Sequence, residues 1–285
     1  MIQSMTGYGK EVVQLPSKTI TIEIKSLNSK GLDLNTRVPS AYREKELEIR
    51  DLLAKSLQRG KIDFSLYIEV TGEEVTTQLN ESVVKQYIKQ LANVVNGDPV
   101  ELLKMAVRMP DALKTEREEI DEKEYQAILK GIDQALEAIN KYRTDEGEVL
   151  ENDFLERSKS ISKLLKEVIA IDPERVDAVK ERLRKAVADI KEKVDENRFE
   201  QELIYYLEKY DITEEKVRLK NHLEYFNQAL KSTDSNGKKL GFITQEIGRE
   251  INTIGSKANY APMQQVVVQM KDELEKIKEQ ALNVL

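Results

Sequence analysis

Hydrophobic positions along this chain change their period partway through. Ile20, Ile22 and Ile24 alternate with Thr21, Glu23 and Lys25, the two-residue period of a half-buried strand. Asn28-Ser29-Lys30-Gly31 supplies turn chemistry, and Leu32, Leu34, Thr36 and Val38 resume the alternation. Beyond Pro39, the spacing of Leu47, Leu52, Leu53 and Leu57 predicts a helix. A third alternating run, Ile62, Phe64, Leu66, Ile68 and Val70, follows Arg59-Gly60-Lys61. These runs predict an antiparallel sheet with a helix on one face, completed by helices around 81–95 and 99–107.

From about Asp121 the period becomes helical almost to the end. Leu150, Phe154, Ile161, Leu164, Val168 and Ile171 form a seam interrupted by Arg157. Asp172-Pro173 is expected to end that helix, because a proline ring suits a helix's first turn and not its interior. Val176, Val179, Leu183, Ala186, Ile190 and Val194 predict a second long helix, and the two together an antiparallel helical hairpin. Leu219, Leu223, Phe226 and Leu230 mark the buried stripe of a further helix, with Asp211 and Glu214 spaced as a capping box at its start. The polar run 232–237 separates it from the next helix, on which Ile243, Ile247, Ile251 and Ile254 keep helical spacing. Met263, Val267, Met270, Leu274, Ile277, Ala281 and Val284 then step by four and three in strict turn, over a helix roughly 30 Å long. That last seam reads either as packing within the chain or as a subunit contact. The expected fold is α+β: an N-terminal antiparallel sheet with packed helices, followed by a long-helix, coiled-coil-like C-terminal region. The expected units are 1–120, 121–200 and 201–285.

Composition narrows the chemistry. Charged residues make up 34% of the 285 positions and aromatic residues only 6%, a profile of long helices with some sheet. The net charge of −7 means that any nucleic-acid site must be a local basic patch. With no cysteine, disulfides and thiolate metal sites are excluded. The N-terminal MIQSMTGYGKEVV lacks the apolar core of a signal peptide, and no apolar run reaches membrane-spanning length. The expectation is a soluble cytoplasmic protein.

Candidate chemistry concentrates near the C-terminus. The single histidine, His222, lies at the border of the Leu219/Leu223/Phe226 stripe, one turn after Arg218 and two turns after Glu215. A carboxylate there fixes the imidazole tautomer, and an arginine holds phosphate. A border histidine is also a common structural hydrogen-bonder. In QEIGREINTIGSK, Glu246 and Glu250 project from one flank, one turn apart, a spacing that lets two carboxylates share Mg²⁺ or Mn²⁺. The bland alternative is a solvated pair beside Arg249. Lys238, Lys239, Arg249 and Lys257 bracket these carboxylates, and cations around paired carboxylates are what metal-assisted phosphodiester cleavage needs. No phosphate-binding glycine loop, dinucleotide fingerprint or nucleophile elbow is present.

Several segments resemble the YicC/YloC family of bacterial proteins. These are MIQSMTGYGK, EIKSLNSKGLDLNTRVP, Arg59-Gly60-Lys61, the Asp145-Glu146-Gly147 region, DITEEKVRLKNHLEYF and GKKLGFITQEIGREINTIGSKAN. The likeness covers nearly the whole chain, and the last two blocks are long and specific. It implies a homo-oligomeric endoribonuclease, a hexamer with a central channel, that needs a divalent metal and closes its helical part around single-stranded or structured RNA. It also implies a link to small-RNA decay and to other RNA-decay enzymes. One departure stands out: where the family's turn often reads Asn-His-Arg, this chain has Asn28-Ser29-Lys30, so a role for that histidine is lost while Lys30 still meets a phosphate.

Combining the motifs with the chemistry gives His222, Glu246 and Glu250 as catalytic residues and Glu215, Glu246 and Glu250 as ligands of Mn²⁺ or Mg²⁺. Lys30, Arg218, Lys220, Lys238, Lys239, Arg249, Asn252 and Lys257 are the expected RNA contacts. Two other classes compete with the nuclease: an RNA-binding adaptor that presents RNA to another nuclease, and a coiled-coil scaffold. The acidic total and few aromatics favour the scaffold; the polar faces of the C-terminal blocks, which a scaffold does not require, count against it.

Overall fold

The three alternating runs do form strands, and a fourth joins them. The computed structural model describes residues 2–70, 77–115, 121–189, 196–232 and 237–285. Strands β1 (Gly7–Gln14), β2 (Lys18–Leu27), β3 (Leu32–Arg37) and β4 (Gly60–Val70) make a sheet in the order β1-β2-β4-β3. β2 pairs antiparallel with β1 and β4, placing Ile22 opposite Leu66 and Ile24 opposite Phe64. The expectation of a wholly antiparallel sheet is corrected at β3, which runs parallel to β4. The reason is the connection: a 3₁₀ turn at Ser40–Lys45 and helix α1 (Glu46–Leu57) carry the chain back to the end where β3 began.

One sheet face carries the core. Ile20, Ile22, Ile24, Ile62, Phe64 and Leu66 are buried against Ile49, Leu53 and Leu57 of α1 and against Ile128, Ile132 and Ile139 of a long helix, α4 (Glu122–Asp189). Glycines let α4 lie directly on β1: a Cβ on Gly9 would stand 2.2 Å from the Ala135 carbonyl oxygen. A small unit sits between β4 and α4 in sequence. It comprises β5 (Thr77–Leu79), α2 (Glu81–Val94), α3 (Pro99–Ala106) and β6 (Leu113–Thr115), around a core of Val84, Ala106 and Ala112.

Helix α4 overturns one expectation. It runs unbroken through Pro173, so no hairpin turn occurs there. A proline inside a helix loses one hydrogen bond and crowds the preceding turn, at about 3 kcal/mol. The apolar stripe on both sides outweighs that: Val168 and Val179 are both buried. Asp172 adds a brace, accepting from Arg175 Nε and Lys216 Nζ at 2.7 Å each. The returning helix is α5 (Glu196–Lys209), whose exit is held where Arg175 Nη1 donates to the Tyr210 carbonyl at 2.8 Å. Ile190 and Val194 lie outside the described residues, as does the 233–236 part of the polar loop.

The second half of α4 packs with α6 (Thr213–Leu230), α7 (Gly237–Lys257) and α8 (Ala261–Ala281) into a separate helical core. Phe154 of α4 meets Phe226 of α6 edge to face, centroids 6.0 Å apart. Arg157, the interruption in the α4 seam, is paired with Asp153 and with Glu273 of α8. The α8 seam is an internal one. Met263, Val267, Met270, Leu274, Ile277, Ala281 and Val284 are all buried within this chain, so the reading of that seam as a subunit contact is corrected. Gly248 and Gly255, two turns apart on α7, make the close approach feasible, for a Cβ on Gly255 would come within 3.0 Å of Val267.

The chain's two ends join the sheet to this core. Met5 N donates to the Asn283 carbonyl at 2.7 Å and Leu285 N to the Gln3 carbonyl at 2.9 Å. Arg143 of α4 is buried beneath them and donates through Nη2 to the Met5 carbonyl and to Ser26 Oγ. Among the described residues no helix is long and apolar enough to cross a membrane.

Candidate functional site

The amphipathic pattern of α6 and α7 already dictates most of their polar geometry. Leu219, Leu223, Phe226 and Leu230 turn α6 inward, and Leu240, Ile243, Ile247, Ile251 and Ile254 turn α7 inward. With those stripes buried, Glu215, Arg218 and His222 must emerge along one flank of α6, and Glu250 and Lys257 along one flank of α7. The helices run side by side in opposite senses, which brings the two flanks together. At one end, Lys257 Nζ donates to Glu215 Oε1 at 2.7 Å and to the Asp211 carbonyl at 2.8 Å. At the other, Lys239 Nζ stands 5.1 Å from the centre of the Tyr225 ring.

Between those points lies Glu250, only 8% exposed. Burial pushes its carboxyl above the usual carboxylate range; Glu215 and Glu214 add to that shift, while Arg218 and His222 oppose it. Glu215 is 7% exposed, and its Oε2 is buried with no hydrogen-bond partner among the described residues. Asp211 is depressed by hydrogen bonds from Thr213, chiefly from its hydroxyl at 2.7 Å, and does not form the expected capping box. Glu214 instead pairs with Arg218.

The structure divides the expected pair. Glu250 faces α6, whereas Glu246, its side chain 40% exposed, accepts from Arg249 Nη1 at 2.6 Å. The carboxylate that Glu250 senses across the groove is Glu215, on the neighbouring helix. Arg218, His222 and Lys257 join these two; Asn252 lies exposed on the far shoulder of α7, and Lys220 is exposed and pairs with Glu224 on α6. Lys238 and Lys239 are exposed at the start of α7, where Gly237 N donates to the Leu285 carbonyl. The turn carrying Lys30 reaches the same C-terminal residues, since Asn28 Nδ2 donates to the Leu282 carbonyl at 2.7 Å. Periodicity carried no signal for the Glu215–Lys257 bridge, whose partners are 42 residues apart.

Among the described residues no three His, Asp or Glu side chains converge as a cation site. Glu215 lies near enough across the groove to raise the Glu250 carboxyl, and its Oε2 is buried with no hydrogen-bond partner among the described residues. Carboxylate oxygens are the hard ligands that Mg²⁺ and Mn²⁺ take, with water in their other positions.

Sheet, long helix and a groove of buried carboxylates edged with cations define an α+β protein with a polar site on a helix pair. Comparison with known families is specific. Residues 2–152 match the N-terminal region of the endoribonuclease YicC-like family and residues 168–285 match its C-terminal part. The chain belongs to this family. The probable endoribonuclease YicC of Clostridioides difficile (strain 630) is 32% identical over 293 residues, covering 100% of both chains. The probable endoribonuclease YicC of Haemophilus influenzae (strain ATCC 51907 / DSM 11121 / KW20 / Rd) is 30% identical over 287 residues, again with 100% of both covered.

Proposed function

We propose that this chain is a divalent-metal-dependent endoribonuclease whose α6/α7 groove binds RNA and cuts its phosphodiester backbone, and that it works as a homo-oligomer, a hexamer, closing around its substrate. The observation that carries the reading is Glu250, a carboxylate buried at a helix–helix groove beside Glu215, Arg218 and His222. Titratable groups held against desolvation with specific charged neighbours cluster at functional sites.

Glu215 and Glu250 would hold Mn²⁺ or Mg²⁺, with Glu246 at the outer edge. The ion, when bound, would neutralise charge growing on the scissile phosphate and provide an activated water. Arg218 and Lys257 would orient the phosphate, the former by a bidentate fork and the latter as a point charge held in place by Glu215 and the Asp211 carbonyl. A ring nitrogen of His222 would move a proton at the reacting phosphate, as acid or base, or position the attacking water. Arg249 borders the groove, Lys238, Lys239 and Lys30 extend its positive rim toward the C-terminus, and Asn252 and Lys220, on the outer faces of the two helices, would meet RNA only beyond it.

Labelled RNA incubated with the purified protein tests this directly. Cleavage should stop in EDTA and return with added Mn²⁺ or Mg²⁺. RNA that is bound but never cut would support the adaptor, the reading favoured by the absence of a three-ligand cluster among the described residues. His222→Gln should lower turnover at least tenfold with little change in RNA affinity, since it removes proton transfer and leaves the phosphate contacts. A variant that cuts at the wild-type rate and merely melts earlier would remove His222 from the catalytic set.

Assembly would rest on surfaces other than the buried α8 seam. The α2/α3 unit leaves Val94, Val95, Val100 and Met105 exposed, an apolar surface suited to a subunit contact. Light scattering at micromolar concentration should give a multiple of the 32.8 kDa chain; the monomer mass would end the oligomer.

A further inference from the structure

Two large aromatic rings stand outside every core on the α6/α7 face. Phe242 is 68% exposed and Tyr225 is 47% exposed. On α7 the buried stripe of Leu240, Ile243, Ile247, Ile251 and Ile254 is complete without Phe242, so burial does not explain that ring. Leaving a phenyl group in water forgoes the stabilisation that burial would give. Phe242 precedes Arg249 by two turns, and Tyr225 follows Arg218 by two turns, so each ring shares a helix face with an arginine at the groove. Lys239 links the two helices at this point, its ammonium 5.1 Å from the Tyr225 ring centre. Lys238, exposed and one turn before Phe242, forms no ion pair with any described residue.

We propose that Tyr225 and Phe242 are base-stacking residues that take unpaired nucleobases of an RNA single strand, with Lys238 and Lys239 on the adjoining phosphates. The inference rests on the ribonuclease reading and deepens it by naming the side chains that hold the bases. Aromatic rings interleaved with cations form a track for single strands, because every base has a face to stack and every nucleotide a phosphate to neutralise. A duplex keeps its base faces stacked on one another, so these rings select loops, bulges and unpaired strands. A protein partner fits the face less well: the centres of protein interfaces are depleted in lysine, and here two lysines adjoin the rings.

The test is equilibrium binding in EDTA, read by fluorescence anisotropy, with a labelled single-stranded RNA, an abasic strand of the same length and a blunt duplex. Phe242→Ala and Tyr225→Ala should each weaken binding of the base-carrying strand by about 5- to 100-fold. Affinity for the abasic strand and the duplex should not change, and Phe242→Tyr should restore stacking. Equal losses on the abasic strand, or no loss on the base-carrying one, would overturn the proposal. So would a fall in the mass of the particle with Phe242→Ala, which would assign the ring to a subunit contact. If wild-type protein cuts RNA while the alanine variants bind it normally, stacking falls and the nuclease reading stands. If wild-type protein neither binds nor cuts RNA, both fall.

Discussion

Glu250→Gln is expected to abolish RNA cleavage while RNA binding stays equal or tightens. The substitution keeps the volume and the helix but removes a negative charge from a groove that must admit phosphate. Because burial already disfavours the charged carboxylate, the neutral amide should leave the melting temperature unchanged or raise it. Loss of activity would then not be a folding defect. Glu215→Gln should behave likewise for cleavage, since its buried Oε2 completes the pair. Glu246→Gln is the internal comparison. Glu246 is half-exposed and bonded to Arg249, and exposed pairs of this kind contribute about 0–1 kcal/mol, so cleavage should fall much less. Normal cleavage by Glu250→Gln, with a normal metal requirement, would move the metal site away from this groove. Single-turnover cleavage of labelled RNA, with anisotropy for binding, separates these outcomes.

The second large effect concerns the joint between sheet and long helix. Gly9→Ala is expected to destabilise the N-terminal unit by about 3 kcal/mol or more, the upper end of overpacking costs. A Cβ there would lie 2.2 Å from the Ala135 carbonyl oxygen and 3.1 Å from the Ile139 amide nitrogen, so relief requires the backbone of α4 to lift from β1. Lifting it would open the core in which Ile132 and Ile139 cover Ile20, Ile22 and Ile24. Gly241→Ala is the control. Nothing lies within 4 Å of its added Cβ, and alanine in a helix interior is favoured over glycine by roughly 1 kcal/mol. Denaturant unfolding should therefore show the first variant lowered and the second unchanged or raised. Equal stability of Gly9→Ala and wild type would mean that α4 does not sit on the strand as described.

Local pattern carried the fold a long way. The alternation at Ile20–Ile24 and Ile62–Val70 specified two strands and their buried face, since one-residue slips would turn every isoleucine to solvent. Helical spacing likewise placed α6, α7 and α8 and named their inward residues. Pro173 misled because its cost, one lost hydrogen bond, is local, while the packing of Val168 and Val179 that overrides it is not visible in the sequence. The α8 seam left two readings open for a related reason: periodicity says that a stripe must be covered, not by what. Which stripe faces which depends on long-range packing, and here α4 and α7 supply the cover.

The candidate site divides along the same line. The sequence by itself determined that Glu215, Arg218 and His222 share a flank of one helix, and that Glu246, Glu250 and Lys257 lie on the polar side of another. It also carried the family blocks that mark both helices. Only the tertiary structure decided that α6 and α7 lie antiparallel in a register that sets Lys257 against Glu215 and Glu250 beside Arg218 and His222. The same register buries Glu250 and leaves Glu246 in solvent with Arg249. Spacing within a helix fixes an angle about its axis; the partner across the groove, and with it desolvation and charge, comes from how two helices meet.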